Sequence, residues 1–113
     1  MNNLQRLQLE TKGIKLEQEE LVVYLQENYL EPFDEYYAIS PINKRNIYSA
    51  ALNILESIAN DVSRMKTVKI DDTTVSDFSE SIQNRIDQLE RKIRTLKVEE
   101  QSSGTNFFML FVD

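Results

Sequence analysis

The chain has 113 residues and a mass of 13.2 kDa, enough for one hydrophobic core but not two. Its 19 acidic and 13 basic residues give a net charge of −6, a poor balance for neutralising nucleic-acid phosphates. It has no cysteine and no histidine, which excludes disulfides, thiolate metal sites, the commonest general base and the usual zinc ligands.

Only two glycines and two prolines are present, which favours long helices over a turn-rich sandwich. The opening MNNLQRLQLETKG has no secretory-type apolar core, and the longest apolar run, six residues, is far too short to cross a bilayer. The expectation is a soluble, intracellular, mainly α protein with no membrane partner and no cofactor.

Residues 3–11 suit a short polar helix, punctuated by Gly13. From Ile14, Leu21, Leu25 and Leu30 with Val22 and Tyr29 form an amphipathic stripe. Glu17, Glu19 and Glu20 sit where carboxylates suit the positive end of a helix dipole, and Pro32 stops the helix. The stretch FDEYYAIS, 33–40, is expected to be an ordered link that packs Phe33, Tyr36 and Tyr37 onto the core.

Ser40 as N-cap with Pro41 at the first helical position is a strong start signal. Ile47, Ala51, Ile54, Ile58, Val62 and Met65 then step by three or four, widened by Leu55 and Ala59. This is the expected central helix, and Ala50 and Ala51 let a neighbour approach closely. Around residues 67–75 the helical period breaks: Val68 and Ile70 alternate with Lys69, and Asp71-Asp72 precedes Thr73, Thr74 and Val75. A small β-hairpin or extended loop is expected there. Ser76 or Asp77 suits the next N-cap, Asp77 and Glu80 having capping-box spacing. Phe78, Ile82, Ile86, Leu89, Ile93 and Leu96 mark a second long amphipathic helix ending before Ser102-Ser103-Gly104.

Little in this pattern supports catalysis. Gly13 and Gly104 are too far apart for a phosphate loop. Asp71, Asp72 and Asp77 lack the alternating ligands, glycine bend and closing Glu of a calcium loop, so they read as turn-forming acids. Arg85, Arg91, Lys92, Arg94 and Lys97 form a basic segment. A solvated face with i,i+4 partners such as Asp87–Arg91 is the favoured reading; charge complementarity in a protein contact with an acidic surface is the other.

The sequence closes on TNFFMLFVD, with six large apolar side chains from Phe107 to Val112. Burying all six yields about 9–18 kcal/mol, and fixing the backbone of 105–113 costs about 9–18 kcal/mol. The two terms cancel, so the segment needs hydrogen-bonded backbone partners as well. Its composition favours an extended chain, which pairs either with 67–75 of its own subunit or with a sheet in a neighbouring molecule. A continuous apolar run calls for cover on both faces, which favours the neighbour.

The stretch IYSAALNILESIANDVSRMKTVKIDDTTVSDFSESIQNRIDQLERKIR, 47–94, resembles the head–tail connector (head-completion or adaptor) proteins of tailed bacteriophages. The matching residues are Ala50, Ala51, Leu55, Glu56, Ile58 and Ala59, then Lys69, Asp71 or Asp72 and Val75, then Arg85 and Leu89. The resemblance implies a helical connector domain over 1–104, with its hairpin near 67–75, and a docking tail over 105–113. It also implies a virion structural protein, assembled in the host cytoplasm, that forms a homo-oligomeric ring of about twelve subunits. That ring joins the portal protein to a tail-side connector or tail protein and lets genomic DNA pass without specific binding. Phe107, Phe108, Leu110 and Phe111 are the expected interface residues, with no catalytic, cofactor or metal site. The alternative is a small regulatory protein, a helical dimer engaging its partner through a C-terminal strand.

Overall fold

The computed structural model describes the backbone of residues 1–69 and 74–112, with side chains through Lys97. Five helices follow one another: α1 Asn3–Glu10, α2 Gln18–Glu27, α3 Pro41–Ala59, α4 Val62–Val68 and α5 Val75–Val112. The chain is thus mainly helical, and among the described residues no helix is long and apolar enough to cross a membrane.

Helix α3 is the hub, with α1, α2, α4 and α5 all packing on it. Ile47, Ile54, Leu55 and Ile58 are essentially fully buried, as are Ala50 and Ala51. The stripe expected on α5 also turns inward: Phe78, Ile82, Ile86, Leu89 and Leu96 are buried, and Ile93 is half-buried. Tyr48 and Lys44 of α3 share a groove with Lys92 and Leu96 of α5. The start of α3 thus meets a part of α5 far from its own start, while the short α4 links the end of α3 to the beginning of α5, so the pair is antiparallel. At 1.5 Å per residue a helix of α5's length spans about 57 Å, matching the 56 Å long dimension of the molecule.

Several boundaries differ from the sequence expectation. Helix α2 starts at Gln18, not Ile14. Gly13 adopts φ +89, and Ile14 forms an isolated antiparallel bridge with Lys69; the Lys15 amide donates to the Val68 carbonyl at 2.7 Å. The long stripe through Met65 is two helices, because Asn60 ends α3 and the Asp61 carboxylate accepts from the Arg64 amide to start α4. Val62, expected in the core, is therefore 60% exposed, whereas Met65 stays buried.

The hairpin expected near 67–75 is not found in its first arm. Thr67 and Val68 complete α4, where Met65 and Val68 bury one helical face. Ile70–Thr73, including Asp71 and Asp72, lie outside the described residues. Neither Ser76 nor Asp77 caps α5. Thr74 does so: its hydroxyl accepts from the Asp77 amide at 3.1 Å, and its carbonyl accepts from the Phe78 amide.

Where an extended tail was expected from 105, the backbone is helical to Val112. One glycine inside a helix costs only about 1 kcal/mol relative to alanine, so Ser102-Ser103-Gly104 is a weak stop signal without a proline behind it. Asp113 lies outside the described residues.

Arg85, first in the basic segment, has a structural task. Its guanidinium donates to the carbonyls of Glu10 and Lys12, which the end of α1 leaves without helical partners. Burial lowers its pKa, with Glu10 acting in the opposite direction. Arg85 thereby ties the end of α1 to α5.

Candidate interaction surface

The most unusual part of the molecule is the segment joining α2 to α3, together with its two helix ends. Helix α2 closes in a Schellman motif: the Leu30 amide donates to the Leu25 carbonyl at 2.9 Å and the Tyr29 amide to the Gln26 carbonyl at 3.1 Å. Leu30 and Leu25 are both buried, as this motif prefers. The left-handed position within it is normally glycine, because a Cβ there crowds the backbone. Here it is Tyr29, at φ +64, and its side chain is 91% exposed. The strain gains no internal packing in return. Tyr29→Gly is expected to stabilise the fold by about 0.5–1 kcal/mol, read as a higher urea midpoint; a lower one would show that the ring packs against its own chain.

From Leu30 onward the backbone is held closely. The first two amides of α1, Asn3 and Leu4, donate to the carbonyls of Asp34 (3.0 Å) and Pro32 (2.9 Å), and the Tyr36 amide donates to the Met1 carbonyl at 2.9 Å. Asn3, only 3% exposed, donates through its side chain to the Glu31 carbonyl at 2.9 Å and accepts from the Asn43 side chain at 3.1 Å. Asn43 in turn accepts from the Tyr37 amide at 2.8 Å. The segment therefore lends its carbonyls to the free N–H groups that begin α1, and two asparagines lock it to the start of α3.

Tyr36 points inward. Its ring lies 5.4 Å from the Arg6 guanidinium, which also sits 5.8 Å from the Tyr48 ring and donates to Glu10 at 2.9 Å. Burial alone would depress the pKa of Arg6, but Glu10 and Tyr36 outweigh it and hold the charge more firmly.

The other large side chains face solvent. Phe33 and Tyr37, expected to pack on the core with Tyr36, are 69% and 61% exposed; Ile39 is 95% and Ile42 52% exposed. The hydrogen bonds above fix the backbone so that alternate residues cannot all turn in. Glu31, Asp34 and Glu35 are exposed among them. The segment thus presents exposed apolar side chains interspersed with acids along a hydrogen-bonded backbone. It was missed from the sequence because its residues follow no helix or strand period; the density of aromatics in FDEYYAIS was the available signal.

Beside it, Lys44, Tyr48, Lys92, Thr95 and Leu96 line an open groove of about 280 Å³ between α3 and α5. The Lys92 ammonium lies 5.2 Å from the Tyr48 ring, and Arg91, Arg94 and Lys97 are exposed along α5. Arg94 approaches Glu90 at 4.0 Å, a partner at helical spacing, whereas Asp87, expected to pair with Arg91, accepts from Gln83 at 3.2 Å. The sequence-derived interface residues Phe107, Phe108, Leu110 and Phe111 belong to the backbone of α5, with side chains outside the described residues. Among the described residues no group of three or more acidic side chains is placed to hold a metal ion. No protein-family model, curated protein or solved structure matches the chain.

Proposed function

We propose that the chain is a structural, non-catalytic subunit of a bacteriophage head–tail connector ring, placed between the portal and the tail and extending the DNA channel. The observation that carries this reading is the exposure of the apolar side chains Tyr29, Phe33, Tyr37, Ile39 and Ile42. Apolar exposure of this kind suits a subunit that is covered by other proteins in its working state. The residues behind the resemblance give further support: Ala50, Ala51, Leu55, Ile58 and Leu89 are all buried in the bundle built on α3, and Arg85 braces α5 against α1.

The test is native mass measurement of the full chain alone and with a phage portal protein. Higher-order rings, or oligomers that form only on the portal, are expected. Deleting 105–113 should abolish portal-bound assembly while the melting temperature of the remaining helices stays within a few degrees. A stable dimer indifferent to the portal would replace this reading with that of a small regulatory binding protein.

A further inference from the structure

We propose that the segment of residues 29–42, with its exposed apolar and acidic side chains, docks onto a second copy of this chain, in the basic groove between its α3 and α5. Three features of the molecule select this occupant.

The first is chemical fit. The donor segment carries Tyr29, Phe33 and Tyr37 among the exposed acids Glu31 and Asp34, the neighbouring Glu35 being paired with the Met1 ammonium at 3.2 Å. The receiving groove is lined by the apolar Tyr48 and Leu96 together with the cations Lys44 and Lys92. An aromatic side chain entering the groove would meet the ring and the leucine, while the neighbouring carboxylates meet the ammonium groups. Such an arrangement of opposite potentials selects a partner and sets its register. The basic run along α5 thereby gains a role beyond solvation.

The second is area. Aromatic side chains bury about 150–250 Å² each; scaled by their exposure here and joined by Ile39 and Ile42, the segment's exposed apolar area is at most about the 800 Å² per partner of a standard interface. Interfaces at or below the small end of that range are typical of weak, transient encounters. Weak pairwise contacts suffice where a ring or a portal holds the copies together.

The third is preorganisation. The hydrogen bonds to Asn3, Leu4 and Asn43 hold the segment in place before binding, so docking does not bear the cost of ordering a loop. Tyr29 is kept in a conformation that glycine would adopt more comfortably. Strain of that kind persists where a side chain is needed for something other than folding.

The surface and the groove are different patches. The contact is satisfied either twice in a two-fold dimer or once per neighbour in a ring. It therefore does not rest on the phage reading: a dimer would keep this proposal and remove the ring, and a ring insensitive to the substitutions below would do the reverse.

Sedimentation equilibrium of the full chain from about 1 µM to 1 mM is expected to show a mass that rises above 13.2 kDa. Phe33→Ser, Tyr29→Gly and Lys92→Glu should each raise the dissociation constant about tenfold or more, with folding checked by thermal melts. Asp34→Lys should weaken self-association similarly. Mixing Asp34→Lys protein with Lys92→Glu protein should restore it, because both crossed contacts of the mixed pair bring opposite charges together, one as in the wild type and one with the signs exchanged. A wild-type chain that stays monomeric throughout overturns the proposal. So does association that is equally strong in Phe33→Ser and Lys92→Glu, which would place the contact elsewhere.

Discussion

Truncating Leu55 to alanine is expected to remove about 2–5 kcal/mol of unfolding free energy. Leu55 is completely buried on the one helix that every other helix packs against, so the vacated space cannot be filled by moving a single neighbour. A domain of this size has about 5–15 kcal/mol in total, and the loss corresponds to a fall in melting temperature of about 10–20 °C. Val62→Ala is the paired control. The stripe read from sequence puts Val62 in the same core, whereas the structure leaves it 60% exposed beyond the break at Asn60. Its truncation should change stability by no more than about 0.5 kcal/mol. Equal losses at the two positions would mean that α3 and α4 are one continuous helix with Val62 inside, and the fold described above would be wrong there.

That contrast marks where the sequence stops being informative. The apolar spacing of α3 and α5 encodes their buried faces directly, because a face that repeats every three or four residues has only one way to be hidden. Ser40 and Pro41 announce the start of α3 for an equally local reason: the Ser40 hydroxyl accepts from the Asn43 amide at 3.1 Å. Features that depend on distant partners were not legible. Asn60 and Asp61 are permissive inside a helical stripe, yet here Asn60 ends α3 and Asp61 caps α4, whose Met65 and Val68 are buried. Thr67 and Val68 have the β-branched character of a strand, yet the Asp61 cap and burial of one face make them helical. Phe33 and Tyr37 were read as core because they are aromatic. Their exposure is decided by hydrogen bonds from the first turn of α1, some thirty residues away. The candidate site is thus the least legible part of the chain: it consists of side chains held out by a backbone that others hold in.

Asn3 is the residue on which that holding depends, and Asn3→Ala is expected to cost about 2–3 kcal/mol. The substitution leaves the Asn3 amide free to keep its bond to the Asp34 carbonyl. It removes the donor to the Glu31 carbonyl and the acceptor for the Asn43 side chain. Each bond contributes about 0.5–1.5 kcal/mol, and a partner left buried without water costs about 1–3 kcal/mol. Both partners here are only partly buried, which keeps the total below the sum of those limits. The more telling readout is local. Amide hydrogen exchange at Tyr37 should accelerate in Asn3→Ala, because Asn43, the acceptor for that amide, is then held from one side only. Exchange in the buried centre of α3 should follow global stability alone. If Asn3→Ala lost less than about 0.5 kcal/mol and left Tyr37 exchange unchanged, the segment would be rigid for some other reason. If instead stability falls and Tyr37 opens while Phe33 and Tyr29 are untouched, any accompanying loss of self-association is entropic in origin. The same side chains would then bind less well because they must first be ordered.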